Sequence, residues 1–303
     1  MEPPPPPTSI LTSRGRVELA AWGEGPAVLS IHGAMGGYDQ GAILAQTIGE
    51  AGYRYVSPSR PGYLSTPLSA GRSAEEQADL HAATLDRLQI PSAAVIAVSG
   101  GGPSAILFAL RHPDRCWGLV LVSTCSGIIE QRIPFVFQMM KLLARLPGVG
   151  AAIRRRTDRD LDAAAARSIP DPAARARVLA DPGAGPLFRA LLFSTSDRMA
   201  LRLGGTENDI RITRGTTYPL EHLAAPTLII HGTADEVVSF DHACTAAKRI
   251  PGAELLAIEN GRHVAIFTHR AEVRDRVSAF LRQHSPREKA KTVDGQTGEA
   301  VSA

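Results

Sequence analysis

Cysteine is scarce in this chain of 303 residues. The three present, Cys116, Cys125 and Cys244, have no metal-ligand spacing, and an odd count leaves no complete disulfide framework. They read as small apolar side chains of a protein kept in a reducing compartment. Aromatic residues make up only 5%. Charge of either sign is not in excess: the formal net charge is +3, and neither a basic stripe nor a recognisable binding module accompanies it, which excludes a nucleic-acid partner. No apolar run approaches the roughly 18 residues of a spanning helix, which excludes stable membrane insertion. Met1-Glu2 followed by Pro3 to Pro7 lacks the basic start and apolar run of a secretory signal. A cytoplasmic location is therefore expected. Nothing in the sequence sets the oligomeric state.

What is present is a folding composition, with 44% hydrophobic and 21% charged residues. Short apolar runs alternate with longer helical patterns, which implies a mostly parallel sheet flanked by helices. Strands are expected at Arg16 to Trp22, Ala27 to Ile31, Tyr53 to Val56, Ala93 to Val98 and Trp117 to Val122. Helices are expected at Gln40 to Ala51, Ala74 to Leu88 and Pro103 to Arg111. No strand then returns until Thr227 to Ile230, and a loop of that length would be implausible in a compact domain, so an inserted helical cap is read there. The sheet resumes with a helix over His242 to Arg249, a strand at Glu254 to Ile258 and a last helix over Glu272 to Leu281. The expected organisation is a mobile proline-rich arm over 1–14, a core over 15–123 and 218–284, a cap over 124–217, and a disordered tail over 285–303 with almost no apolar side chains to bury.

The chemistry begins at Ala97-Val98-Ser99-Gly100-Gly101, where an apolar strand ends in a serine followed by glycines and a helix. A serine on so sharp a turn needs small neighbours two residues to either side, and Ala97 and Gly101 supply them. The turn also aims the Gly100 N–H at the place where a tetrahedral oxyanion forms, beside the positive end of the next helix. A lysine of Walker type is missing, which disfavours a nucleotide loop. A serine hydroxyl needs a base, and of nine histidines His263 lies on the loop after the last expected strand. That base needs a carboxylate to fix its tautomer. Asp235, just past the strand that follows the cap, is the candidate, with Glu236 beside it as the less well-registered alternative.

These segments resemble the α/β-hydrolase family: Ala97-Val98-Ser99-Gly100-Gly101 for its nucleophile elbow, with alanine where the family usually has the first glycine, and the chain order Ser99, Asp235, His263. His32-Gly33-Ala34-Met35-Gly36-Gly37 is similar to the family's oxyanion loop, implying the Ala34 N–H as second donor, with Met35 as the neighbouring alternative. Ser59-Arg60-Pro61-Gly62-Tyr63-Leu64-Ser65-Thr66 is similar to a turn that braces such sites. It departs from the pattern at Pro61 and Leu64. His32 and His231 have family counterparts for which a structural role is expected. Some relatives carry the acid one strand earlier, but Ser123, Thr124 and Cys125 offer no carboxylate there. The resemblance spans about Arg16 to Gln283.

It implies a fold of mostly parallel strands with a helical cap, and a serine hydrolase that cleaves the ester or related acyl bond of a small-molecule acyl substrate through an acyl-enzyme. No metal or organic cofactor is implied. Serine at the nucleophile position disfavours the aspartyl-ester chemistry of dehalogenases and epoxide hydrolases. Carbon–carbon hydrolysis, lyase or perhydrolase activity, and a slow-turnover ligand receptor remain compatible with the same triad. Phe135, Phe137, Met139 and Met140 of the cap suggest an apolar substrate. Arg154, Arg155 and Arg156 read as a solvated helix face.

Overall fold

The computed structural model describes residues 5–129, 135–144 and 146–286. Eight strands form one sheet: β1 (Thr8–Thr12), β2 (Gly15–Trp22), β3 (Ala27–Ile31), β4 (Arg54–Pro58), β5 (Ala93–Val98), β6 (Cys116–Val122), β7 (Thr227–Gly232) and β8 (Glu254–Ile258). They lie in the order β1-β2-β4-β3-β5-β6-β7-β8. The pairs β1/β2 and β2/β4 are antiparallel and all later pairs are parallel. Helices α1 (Tyr38–Ile48), α2 (Ala74–Arg87) and α3 (Gly102–Arg111) connect the early parallel strands, and α10 (Asp241–Arg249) joins β7 to β8.

The near-continuous apolar runs of the central strands follow from burial on both faces. Successive side chains of β5 alternate between two cores. Ala93, Val95 and Ala97 pack with α2, α3 and α10 through residues such as Leu85, Phe108 and Ala246. Ala94 and Ile96 pack on the other face with Ile48 of α1 and with Val277 and Phe280 of the last helix, α12 (Arg270–His284). Each fully buried aliphatic or aromatic side chain contributes about 1.5–3 kcal/mol, so both faces are strongly specified.

Between β6 and β7 the described residues form six α-helices: α4 (Phe135–Leu143), α5 (Val149–Arg159), α6 (Leu161–Ala166), α7 (Pro172–Ala180), α8 (Ala184–Ser194) and α9 (Ala200–Gly215). Val178 of α7 and Phe188 of α8 join the core on the α1 side together with Phe267 of the short helix α11 (Ala265–Thr268). Ile212 of α9 joins the opposite core.

The amino-terminal arm differs from expectation. Thr8–Thr12 is an edge strand paired with β2 across a turn at Ser13-Arg14, in the register Thr8↔Leu19 to Thr12↔Gly15. An edge strand needs little buried surface of its own. Main-chain pairing and the packing of Ile10 on the core hold it, so apolar patterning gives little sign of it. The expected tail lies, from Arg287 onward, outside the described residues, as do residues 1–4 of the arm.

Candidate active site

Every candidate residue sits at a strand's carboxyl end. Ala34 follows β3, Ser99 follows β5, Asp235 follows β7 and His263 follows β8. The strand order reverses around β3, whose neighbours are β4 and β5, and crevices at such switch points are where open α/β sheets bind ligands.

Ser99 has φ +50°, a left-handed backbone that a serine adopts only under constraint. The constraint comes from the close approach of β3. A Cβ on Gly101 would lie 2.6 Å from the His32 carbonyl oxygen, and one on Gly33 would lie 3.1 Å from the Ser99 Cβ. The small-neighbour requirement read from the sequence is thus a matter of contact between adjacent strand ends. On the other side of the turn, Ala34 N lies 3.4 Å from where a Gly100 Cβ would be. The Ala34 and Gly100 N–H groups therefore belong to adjacent backbone segments. The neighbouring Met35 N–H is engaged, donating to Thr206 Oγ1 at 2.9 Å.

His263 Nδ1 and Asp235 Oδ2 are 2.8 Å apart. The other carboxylate oxygen, Oδ1, accepts the N–H groups of Val237 at 2.8 Å and Val238 at 3.0 Å. The Asp235 side chain is fully buried. Burial alone would raise its pKa, but hydrogen bonding with His231 and His263 and the Val238 N–H hold it well below the usual carboxylate range. The group is therefore an anion fixed against the imidazole. Glu236, the adjacent alternative, instead pairs with Arg262 at 2.8 Å at the surface.

Ser99 and His263 line one cavity of ≈ 290 Å³. No hydrogen bond joins them among the described residues, an arrangement common before substrate tightens a site. The rest of the lining is mostly apolar and comes from Ile43 and Leu44 of α1, Leu191 and Leu192 of α8, and Ile266 and Phe267 at α11. The cap residues expected to shape it do otherwise. Phe137 and Met140 pack with Met199, Leu203 and Met35, Met139 is exposed, and the Phe135 side chain lies outside the description. Arg154, Arg155 and Arg156 are exposed on α5, with Arg154 over the Phe193 ring.

Two further histidines are buried beside these groups. His32 is fully buried, accepts the Arg60 N–H at Nε2 (2.9 Å) and therefore donates from Nδ1 to the Gly33 carbonyl at 2.7 Å. Burial and the neighbouring Arg60 push its pKa well down, keeping the ring neutral. His231 Nε2 lies 2.9 Å from the Val238 carbonyl oxygen. No cluster of three or more His, Cys, Asp or Glu side chains able to hold a metal ion occurs among the described residues.

The sequence profile described as alpha/beta hydrolase fold matches residues 26–270. The chain belongs to that family. Relatives within it include an uncharacterized hydrolase, YcgS, of Bacillus subtilis, 28% identical over 84% of this chain and 91% of the relative. The 2-hydroxymuconate semialdehyde hydrolase of Pseudomonas putida is 27% identical over 90% of this chain and 92% of the relative. Among solved structures, an alpha/beta hydrolase fold protein from Nakamurella multipartita is 32% identical and superposes with a TM-score of 0.76, covering 91% of this chain and 99% of that one.

In this alpha/beta hydrolase the sequence reading missed a second layer around the site, contributed by α9. Arg202 is fully buried. It donates to Asp39 Oδ2 at 2.6 Å and to the Gly36 carbonyl at 2.8 Å. Asp209, also buried, accepts hydrogen bonds from the two terminal nitrogens of Arg60, at 2.7 Å and 2.6 Å, and from the Tyr63 hydroxyl at 2.5 Å. Residues 202, 206 and 209 recur at helical spacing and so share one face of α9. That periodicity was the only available signal, and their partners stand too far away in the chain for spacing to reveal them.

Proposed function

We propose that this hydrolase uses Ser99 as a nucleophile, with His263 as general base and Asp235 orienting and charge-balancing it, to cleave an ester or related acyl bond of a small apolar substrate. The observation that carries the reading is the His263–Asp235 hydrogen bond of 2.8 Å beside a predominantly apolar cavity that Ser99 and His263 both line.

In the reaction, Ser99 Oγ attacks the carbonyl carbon while His263 Nε2 takes its proton. The oxyanion forms between the Gly100 and Ala34 N–H groups. Ala34 is favoured over Met35 because the Met35 N–H is spent on Thr206. His263 then passes the proton to the leaving group, and an acyl-enzyme remains. A water deprotonated by His263 releases the acid and restores Ser99. The helical insert acts as a cap, since α8 supplies Leu191, Leu192 and Thr195 to the cavity wall.

A second reading, hydrolysis of a carbon–carbon bond beside a ketone, is favoured by the relative named 2-hydroxymuconate semialdehyde hydrolase. The two are separated by one panel: p-nitrophenyl esters of two to ten carbons and a 2-hydroxy-6-oxo dienoate, each with wild type and Ser99→Ala. Acyl-ester turnover with a preference for short to medium chains, lost by about 10³-fold or more in the variant, is the expected result. Dienoate cleavage without ester turnover would establish the second reading, and undiminished ester turnover by Ser99→Ala would overturn both.

A further inference from the structure

We propose that Asp209 and Arg60 are positioning residues for the oxyanion hole, so that an insert helix on one side and the Ala34 N–H on the other form a single mechanical unit. The inference rests on the Ser99 reading above.

The argument starts from one peptide group. All peptide bonds among the described residues are trans, and in a planar trans peptide the C=O and the following N–H point in opposite directions. The peptide that carries the Ala34 N–H has the Gly33 carbonyl at its other end. That oxygen is held by two donors, His32 Nδ1 at 2.7 Å and Arg60 Nη2 at 3.2 Å. Fixing the oxygen fixes the opposed N–H. Arg60 reinforces the same segment by donating Nε to the His32 carbonyl at 3.0 Å and its backbone N–H to His32 Nε2 at 2.9 Å. The guanidinium therefore braces residues 32 and 33 from behind the hole.

Arg60 cannot do this as a free side chain, because a long cation samples many rotamers. Asp209 of α9 removes that freedom through a bidentate pair, a geometry that a guanidinium fork meets with two parallel bonds. The pair is almost wholly buried. Two further contacts run from the same face of α9 to the oxyanion loop: Thr206 Oγ1 accepts the Met35 N–H, and Arg202 binds the Gly36 carbonyl. The loop is thus gripped by α9 on one side of Ala34 and by the α9-anchored Arg60 on the other.

The electrostatics make the pairing obligatory. A Cβ on Gly100 would lie 3.0 Å from Asp209 Oδ2, so the carboxylate stands next to the turn that donates to the oxyanion. An unpaired anion there would oppose the charge that develops in the transition state. The Arg60 fork and the Tyr63 hydroxyl at 2.5 Å absorb it.

Two variants test the role in an enzyme whose Ser99-dependent ester hydrolysis has been demonstrated with wild type and Ser99→Ala. Absence of Ser99-dependent hydrolysis would defeat the functional reading and this proposal with it, whereas wild-type behaviour of the two variants would defeat this proposal alone. Arg60→Lys keeps a cation for Asp209 but loses the fork that reaches Gly33. Asp209→Asn removes the anchor and also removes a negative charge beside the hole. Active sites are counted by fluorophosphonate titration, so that rates refer to folded enzyme only. Both variants are expected to lose about 10²-fold in kcat with KM changed less than threefold, and to lose affinity for an alkylboronic acid, a tetrahedral mimic, by the same factor as kcat. A purely electrostatic role predicts the opposite sign for Asp209→Asn, an unchanged or raised kcat, and that outcome would overturn the proposal. So would a wild-type kcat per titrated site in Arg60→Lys, even if either variant melts early.

Discussion

At the residue scale, the buried histidines make a prediction separate from catalysis. His81 of α2 lies under the turn that carries Ser99, with Nε2 3.2 Å from Ser104 Oγ, which itself donates to the Gly101 carbonyl. Burial, aided by Arg60, pushes the His81 pKa down to about 3. In the unfolded chain the same ring titrates at about 6.5. Between these values the unfolded state binds a proton that the folded state refuses, so folded stability falls as pH falls, by roughly 1.4 kcal/mol per pH unit from this one group. Urea unfolding of wild type and His81→Gln at pH 7, 6, 5 and 4.5 should give converging stabilities as the pH drops, because glutamine keeps a donor for Ser104 and takes up no proton. Parallel curves would contradict the assignment. The triad candidates were legible from the chain for a local reason. Ser99 announces itself by the glycines that relieve its turn, and Asp235 and His263 by their places after strands. Asp209 gives no such sign, because its meaning lies in a contact with Arg60, 149 positions away.

At the scale of elements, α9 reaches the turn after β4 only because both surfaces are stripped of side chains where they meet. A Cβ on Gly205 would sit 2.3 Å from the Tyr63 ring, and the Gly205 N–H donates to the Gly62 carbonyl at 2.9 Å. Gly205→Ala is therefore expected to push α9 and Tyr63 apart and to cost about 1–3 kcal/mol by overpacking, although alanine is the better helix former. Gly215, the last residue of α9, has nothing within 4 Å of its would-be Cβ. Gly215→Ala should be neutral or slightly stabilising, by up to about 1 kcal/mol. Thermal unfolding of the two variants checks the contrast, and equal effects would contradict the close-packing account. The regular elements were readable from periodicity, and β3, β5 and β8 lie at the expected residues. The edge strand β1 was not, because a strand with one neighbour and five residues draws its stability from pairing. The source of the cavity wall was also not readable. Phe137 and Met140 are apolar enough to line a pocket, yet they are consumed in packing the insert on Met35, Met199 and Leu203, while ordinary core positions of α1, α8 and α11 form the wall.

At the scale of the whole molecule, the sheet brings four chain segments to one edge, where Leu191, Leu192 and Thr195 from the insert join the cavity wall. The helix that carries Ile212 into the core beneath also carries Arg202, Thr206 and Asp209 to the loops above. The parallel sheet places the candidate groups at its carboxyl edge, and α9 hydrogen-bonds to the loops beside them. The match to the alpha/beta hydrolase fold family spans residues 26–270 and so takes in both β3 to β8 and α9. The claim on which all of this depends is that Ser99 is an activated nucleophile. Treatment with a fluorophosphonate ester, followed by intact-mass and peptide mass analysis, tests it most directly. The expected result is one adduct per chain, located on Ser99, with ester hydrolysis lost in proportion to labelling and no adduct in Ser99→Ala. Labelling at another residue, or full labelling of Ser99→Ala, would contradict it.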